Sequence, residues 1–179
     1  MKSESLDYIL EGIRSNVMSV DQSLLEEFIE DIATANRIFI YGAGRSGLVG
    51  QLFAVRLVQM GLDVHFIGEM TTPIIEKDDL TILISNTGDT MSVVQTANIA
   101  RRIGCKVVGI TGNSTNKLAL TSSSVIVMNH KGASNPEYAP MGTIFEDSVS
   151  ILFDSLVPSL MKRLNMSEKD MRKRHAIWV

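Results

Sequence analysis

The chain has 179 residues, 45% of them hydrophobic and 21% charged, which suits one globular domain with a sizeable core and argues against disorder. A formal charge of −3 gives no reason to expect nucleic acid, and the one basic cluster, Lys162-Arg163 with Arg172-Lys173-Arg174, reads as a solvated helix end or an oligomer contact. Cys105 is the only cysteine, so no internal disulfide and no CxxC metal pair can form, and it reads as a small core residue in a reducing compartment.

Met1 to Leu10 carries Glu4 and Asp7 and lacks the basic and apolar regions of a secretion signal. No apolar run approaches the length of a membrane span, so a cytoplasmic protein without a membrane partner is expected. Helical patterns over about Ser5 to Ser19 and Leu24 to Ala35 come first. Short, near-continuously apolar runs follow at Arg37–Tyr41, Asp63–Ile67, Leu80–Ser85, Lys106–Thr111 and Val125–Asn129, which is how strands read when helices cover both faces of a parallel sheet. Between them, Leu48, Leu52, Val55 and Val58 keep one helical face, as do Val93, Ala97 and Ala100. A last helix is expected from about Met141 to Leu164, with Phe145, Val149, Leu152, Leu156 and Leu160 as its stripe and a kink or break near Asp154 caused by Pro158. This alternation predicts a three-layer α/β domain with a five-stranded parallel sheet and right-handed crossovers. A single domain over 1–179 is expected, with N-terminal helices over about 5–35 and a C-terminal helix and tail over about 141–179.

In such sheets ligands bind beyond the carboxyl ends of the strands, so the loops after the first and third strands matter most. Gly42-Ala43-Gly44-Arg45-Ser46-Gly47 opens a helix whose free N–H groups favour an anion, with Ser46 adding a hydroxyl. The same run satisfies GxGxxG, and Glu69 follows the second strand about where a ribose-binding acid would sit, so a dinucleotide reading stays open at this point. The second loop, Ser85-Asn86-Thr87-Gly88-Asp89-Thr90, supplies three hydroxyls, an amide and a glycine within six residues. That composition suits the three terminal oxygens of a phosphate monoester; the bland alternative is a helix cap at Asp89 or Thr90. Ser46, Ser85, Thr87 and Thr90 are the expected phosphate donors, with the backbone around Gly44 and Gly88 assisting and Asn86 and Asp89 completing the turn. Arg45 is expected to contact the ligand or to pair with an acid across a subunit interface.

The pair of loops resembles the sugar isomerase (SIS) domain family, in which a Ser/Thr-rich turn holds the phosphate of a phosphosugar. Within it, Gly42–Gly47, Arg56-Leu57 with Met60-Gly61, Gly68-Glu69 with Thr72-Pro73, and Pro140-Met-Gly-Thr-Ile-Phe-Glu146 together are similar to the 6-phospho-3-hexuloisomerase branch, over nearly the whole chain. The departure lies in the second loop, where the family's pattern is Ser-Gly-Ser-Gly-Glu-Thr: Thr87 keeps a hydroxyl and Asp89 a carboxylate, whereas Asn86 replaces a glycine. The resemblance implies a flavodoxin-like SIS fold and conversion of D-arabino-3-hexulose 6-phosphate to fructose 6-phosphate through a 2,3-enediol. It implies Glu146 as the base, His175 as a proton-transfer or ring-opening aid from its own or a neighbouring subunit, and a homo-oligomer, a tetramer above all. It implies no cofactor, and a metabolic neighbour in 3-hexulose-6-phosphate synthase, which uses formaldehyde. Among the remaining histidines, His65 reads as a core residue within a strand, and His130 follows the fifth strand without support from its neighbours. No His, Cys, Asp or Glu cluster has metal-ligand spacing. The competing readings are a phosphosugar-sensing module, an aldose–ketose isomerase of another phosphosugar, and a nicotinamide oxidoreductase.

Overall fold

Each of the five apolar runs forms a strand. A computed structural model describes residues 2–129 and 135–175. Two helices, α1 (Lys2–Met18) and α2 (Gln22–Thr34), lead into β1 (Ile38–Gly42), α3 (Arg45–Gln59), β2 (Val64–Phe66) and β3 (Leu80–Ser85). The chain continues through α4 (Met91–Ile103), β4 (Lys106–Thr111), α5 (Lys117–Thr121) and β5 (Ser124–Val127), and ends in α6 (Thr143–Arg163) and α7 (Glu168–Arg172). All strand pairs are parallel and the order is β2-β1-β3-β4-β5. The chain direction across the sheet therefore reverses between β1 and β3, which opens a crevice at their carboxyl ends.

The sheet divides the apolar interior in two. On one side Phe28 and Ile32 of α2, Phe53 and Leu57 of α3 and the α6 stripe from Phe145 to Leu160 pack on the strands. On the other, Val93, Ala97 and Ala100 of α4 and Leu118 of α5 pack with Leu83 and Val107. β3, the central strand, is buried at every position, as its unbroken apolar run requires.

Three expectations need correction. The Leu48, Leu52, Val55 and Val58 face of α3 does not enter the core: these side chains are 64%, 56%, 59% and 45% exposed. The buried face is Ser46, Gly47, Gly50, Phe53 and Leu57 instead. Its small residues let the helix lie close to the sheet, since a Cβ at Gly47 would stand 2.4 Å from the Gly42 carbonyl oxygen. Next, α6 runs without a break from Thr143 to Arg163 with Pro158 inside it, its buried stripe outweighing one lost backbone donor. Finally, His65 lies on the edge strand β2, half-buried, with Nε2 3.0 Å from Asp63 Oδ1. The short helix α5 had no counterpart in the sequence pattern.

The basic residues near the C-terminus are largely paired: Arg163 binds Glu30 through two nitrogens at 2.7 and 2.6 Å, Arg172 binds Glu168, and Lys173 binds Asp170. Cys105 is buried as expected, against Thr81 Oγ1 and the Asp79 carbonyl. Among the described residues no helix is long and apolar enough to cross a membrane.

Candidate active site

The crevice between β1 and β3 is bordered by three helix starts that no side chain caps. Gly44 precedes α3, Thr90 precedes α4 and Gly142 precedes α6, and none makes a side-chain capping bond. At α3 and α4 the first backbone N–H groups thus remain available, the arrangement in which a helix start favours an anion, whereas at α6 the Thr143 N–H donates to the Pro140 carbonyl at 3.2 Å. At α6 the approach is sharp, because Met141 and Gly142 are both left-handed, with φ of 49° and 83°.

The first loop meets the start of α6. Ser46 donates a hydrogen bond from Oγ to Glu146 Oε1 at 3.3 Å, and Arg45 donates from Nε to Oε2 at 3.3 Å. A second Arg45 nitrogen lies 3.8 Å from Asp147 Oδ1. Within its own chain Arg45 therefore pairs with Glu146, while its guanidinium stays largely exposed. Glu146 has only 9% of its side chain exposed while Arg45 has 60%, so the carboxylate sits in the wall of the crevice under a solvated guanidinium. Phe145 turns the other way, into the core.

The second loop supplies the neighbouring wall. Ser85 is buried; its Oγ lies 3.1 Å from Thr90 Oγ1 and accepts from the Gly88 N–H at 3.1 Å. Thr90 occupies the cap position of α4 but turns its hydroxyl toward Ser85, so the bland reading of this loop as a plain side-chain cap does not hold for Thr90. Thr87 and Asp89 are exposed at the tip, where the Thr87 hydroxyl accepts from the Asp89 N–H and Asp89 lies 3.7 Å from Lys117 Nζ. Asn86 does not disrupt the turn: its carbonyl accepts from the Gly112 N–H at 2.9 Å and from Thr111 Oγ1 at 3.3 Å. Its amide nitrogen would lie 3.1 Å from a Cβ at Gly142, and Glu146 Oε2 3.3 Å from the same point, so Asn86, Gly142 and Glu146 crowd together. The β1 loop, the β3 loop and the start of α6 thereby form one site.

Gly88 has a φ of +66°, a conformation that disfavours side chains, and a Cβ there would come within 2.0 Å of the Asn116 side chain. Asn116 is buried beneath the loop, donating to Thr111 Oγ1 and accepting from the Ala119 N–H as the cap of α5. The sequence reading missed it, although an Asn ahead of Leu118-Ala119 is a helix-start signal. Other candidates lie elsewhere. His175 and Glu69 line a cavity of about 840 Å³ along the second half of α3, with Val55, Val58 and Phe66, and are not among the groups around Glu146. His130 lies outside the described residues.

The model of the SIS domain matches residues 31–151, which spans β1 through the first turns of α6 and so includes both loops and Glu146. The chain belongs to the SIS domain family. Its curated SIS relatives include the 3-hexulose-6-phosphate isomerase of Methanocaldococcus jannaschii, 40% identical over 151 residues, which cover 84% of this chain and 82% of the relative. The 3-hexulose-6-phosphate isomerase of Bacillus subtilis is 30% identical over 179 residues, 97% of each chain. Among solved structures, a hypothetical protein from Methanococcus jannaschii, for which a molecular function of 3-hexulose-6-phosphate isomerase was inferred, superposes with a TM-score of 0.88 at 37% identity, covering 98% of this chain and 99% of that one. The five-stranded parallel sheet flanked by helices is the SIS fold. Membership of the family takes the GxGxxG spacing out of the dinucleotide reading: here it is the first loop of a SIS domain.

Proposed function

We propose that this SIS-family isomerase converts D-arabino-3-hexulose 6-phosphate to fructose 6-phosphate. The observation that carries the reading is the Glu146 carboxylate, held by Ser46 and Arg45 in the wall of a crevice whose other wall is the hydroxyl-rich Ser85–Thr90 turn. In this reading Ser85, Thr87 and Thr90, with backbone N–H groups at the starts of α3 and α4, hold the phosphate by hydrogen bonds. Glu146 removes the proton from C2, electrons shift to give a 2,3-enediol, and the same carboxyl returns that proton to C3 while the proton on O2 passes to the adjacent O3. The carbonyl ends at C2. A single base suffices when it stands over one face of the planar enediol, from which it reaches both C2 and C3.

Assembly belongs to the proposal. The exposed apolar face of α3 supports a homo-oligomer, a tetramer by resemblance to the family, in which a neighbouring copy covers that face. His175, exposed and bordering the same stretch of α3, is assigned to proton transfer across that subunit boundary. A cytoplasmic setting is in keeping with the buried free thiol of Cys105. The substrate would be supplied by a synthase that joins formaldehyde to a pentulose phosphate.

Proton NMR of fructose 6-phosphate incubated with the purified protein in heavy water tests the reading. Deuterium at C3, with appearance of the 3-ketose, is the expected result. Deuterium at C1 would make the protein an aldose–ketose isomerase. Binding without exchange anywhere would make it a phosphosugar-binding module.

A further inference from the structure

Asn16 lies in α1, 1% exposed, and its Oδ1 is buried with no hydrogen-bond partner. The orientation of its amide follows from its neighbour. Ser148 Oγ donates its proton to the Ile144 carbonyl at 2.5 Å, so it can only accept from Asn16, and Nδ2 does donate to it at 3.0 Å. The amide oxygen is left without a donor. A buried acceptor in that state is unfavourable, and Asn16 lines a cavity of about 190 Å³ from which a donor can come.

That cavity shares Asn86 and Gly142 with the active site, and Tyr8, Asn129 and Thr143 add polar groups to its wall. At roughly 30 Å³ per molecule it has room for about six waters, or for a short polar chain that replaces them. Among the described residues no Lys or Arg lines it, and its unsatisfied group is an acceptor, which favours a donor-bearing neutral occupant over a phosphate or carboxylate. A neutral molecule rich in O–H groups fits. We infer that this cavity is a subsite for the hydroxyl-bearing carbon chain of the phosphosugar, with Asn16 Oδ1 accepting from one of its hydroxyls. The inference rests on the proposed phosphate position at the Ser85–Thr90 turn. It makes Asn16 a residue that distinguishes a polyol chain from an apolar one, because the analogue without hydroxyls would leave the acceptor unpaired.

Competition binding tests it with three probes: inorganic phosphate, D-glucitol 6-phosphate and n-hexyl phosphate. The wild-type protein is expected to bind glucitol 6-phosphate at least about tenfold more tightly than hexyl phosphate, and Asn16→Leu to weaken glucitol 6-phosphate about 10- to 100-fold while leaving inorganic phosphate within about twofold. If Asn16→Leu does not fold, the wild-type comparison of the two esters decides alone, and equal affinity overturns the subsite. Unchanged glucitol 6-phosphate binding in the variant also overturns it, as does a parallel loss of inorganic phosphate, which would mean a purely structural role. Failure of the wild-type protein to bind any of the three would overturn the phosphosugar reading itself, a result distinct from failure of the subsite.

Discussion

Arg45 and Glu146 are 101 residues apart in sequence, yet the guanidinium Nε lies 3.3 Å from the carboxylate. With Ser46 on the other oxygen, both carboxylate oxygens are held and the group is aimed into the crevice from the first turn of α6. Glu146→Gln keeps the shape and an acceptor for Ser46 but cannot take a proton. Turnover should fall about 10²- to 10⁴-fold, the scale of a general base, with glucitol 6-phosphate affinity within severalfold. Near-normal turnover would remove Glu146 from the chemistry.

Ser85 and Thr87 test the other wall. Both hydroxyls are assigned to the phosphate, Ser85 from a buried position and Thr87 from the tip of the turn. The double replacement Ser85→Ala with Thr87→Ala should raise the Michaelis constant and the inhibition constant of inorganic phosphate by about tenfold or more, since two hydrogen bonds to a charged group are lost. Turnover at saturation should change less. An unaltered Michaelis constant would mean that the phosphate sits in a different loop.

Gly88→Ala should damage both stability and binding. The left-handed backbone alone disfavours a side chain by about 1 kcal/mol, and the new methyl would also collide with Asn116 beneath the loop. Asn116 has little freedom to move, being tied to Thr111 and to the start of α5. Urea unfolding should register a loss above about 1 kcal/mol. A neutral effect would show that the turn relaxes.

Cys105 should be inert in the folded protein. Burial, the larger influence, pushes its thiol up from the usual 9.0, opposed by a hydrogen bond with Thr81. A raised pKa means that the folded state resists giving up the proton. The stability this contributes is complete below about pH 9 and is lost as pH rises through the folded value. At pH 8, iodoacetamide should label the native protein far more slowly than the urea-unfolded chain, and equal rates would contradict the burial of this thiol.

The strands were legible because helices on both faces force their residues to be apolar without alternation, as in Leu80–Ser85. The same logic misled at α3. There the face toward the sheet is built from Ser46, Gly47 and Gly50, small residues that carry no hydrophobic signal, while the visible stripe of Leu48, Leu52, Val55 and Val58 points outward. Both loops and Glu146 were legible from local composition and family resemblance, but no local pattern could show that Arg45 meets Glu146, which lies 101 residues further along the chain. Asn16 was invisible for a related reason: one polar residue in a helix carries no period, and its meaning comes from Ser148 and a cavity more than a hundred residues away in sequence.

The outward stripe of α3 supplies the last test. From Leu48 through Leu52 and Val55 to Val58 the row covers about 15 Å of helix, on a surface where isolated apolar side chains would be ordinary but a continuous row is not. If a second copy covers it, light scattering of the wild-type protein at micromolar concentration should give a multiple of 19.7 kDa. Leu52→Glu with Val55→Glu puts two carboxylates into that contact and should reduce the mass toward one chain, with the circular dichroism of the fold retained because neither residue touches the core. Activity should fall with the mass if His175 acts across the boundary. A wild-type protein that is already monomeric would remove the shared site, and full activity in a monomeric variant would confine the chemistry to Glu146 and the two loops of a single chain.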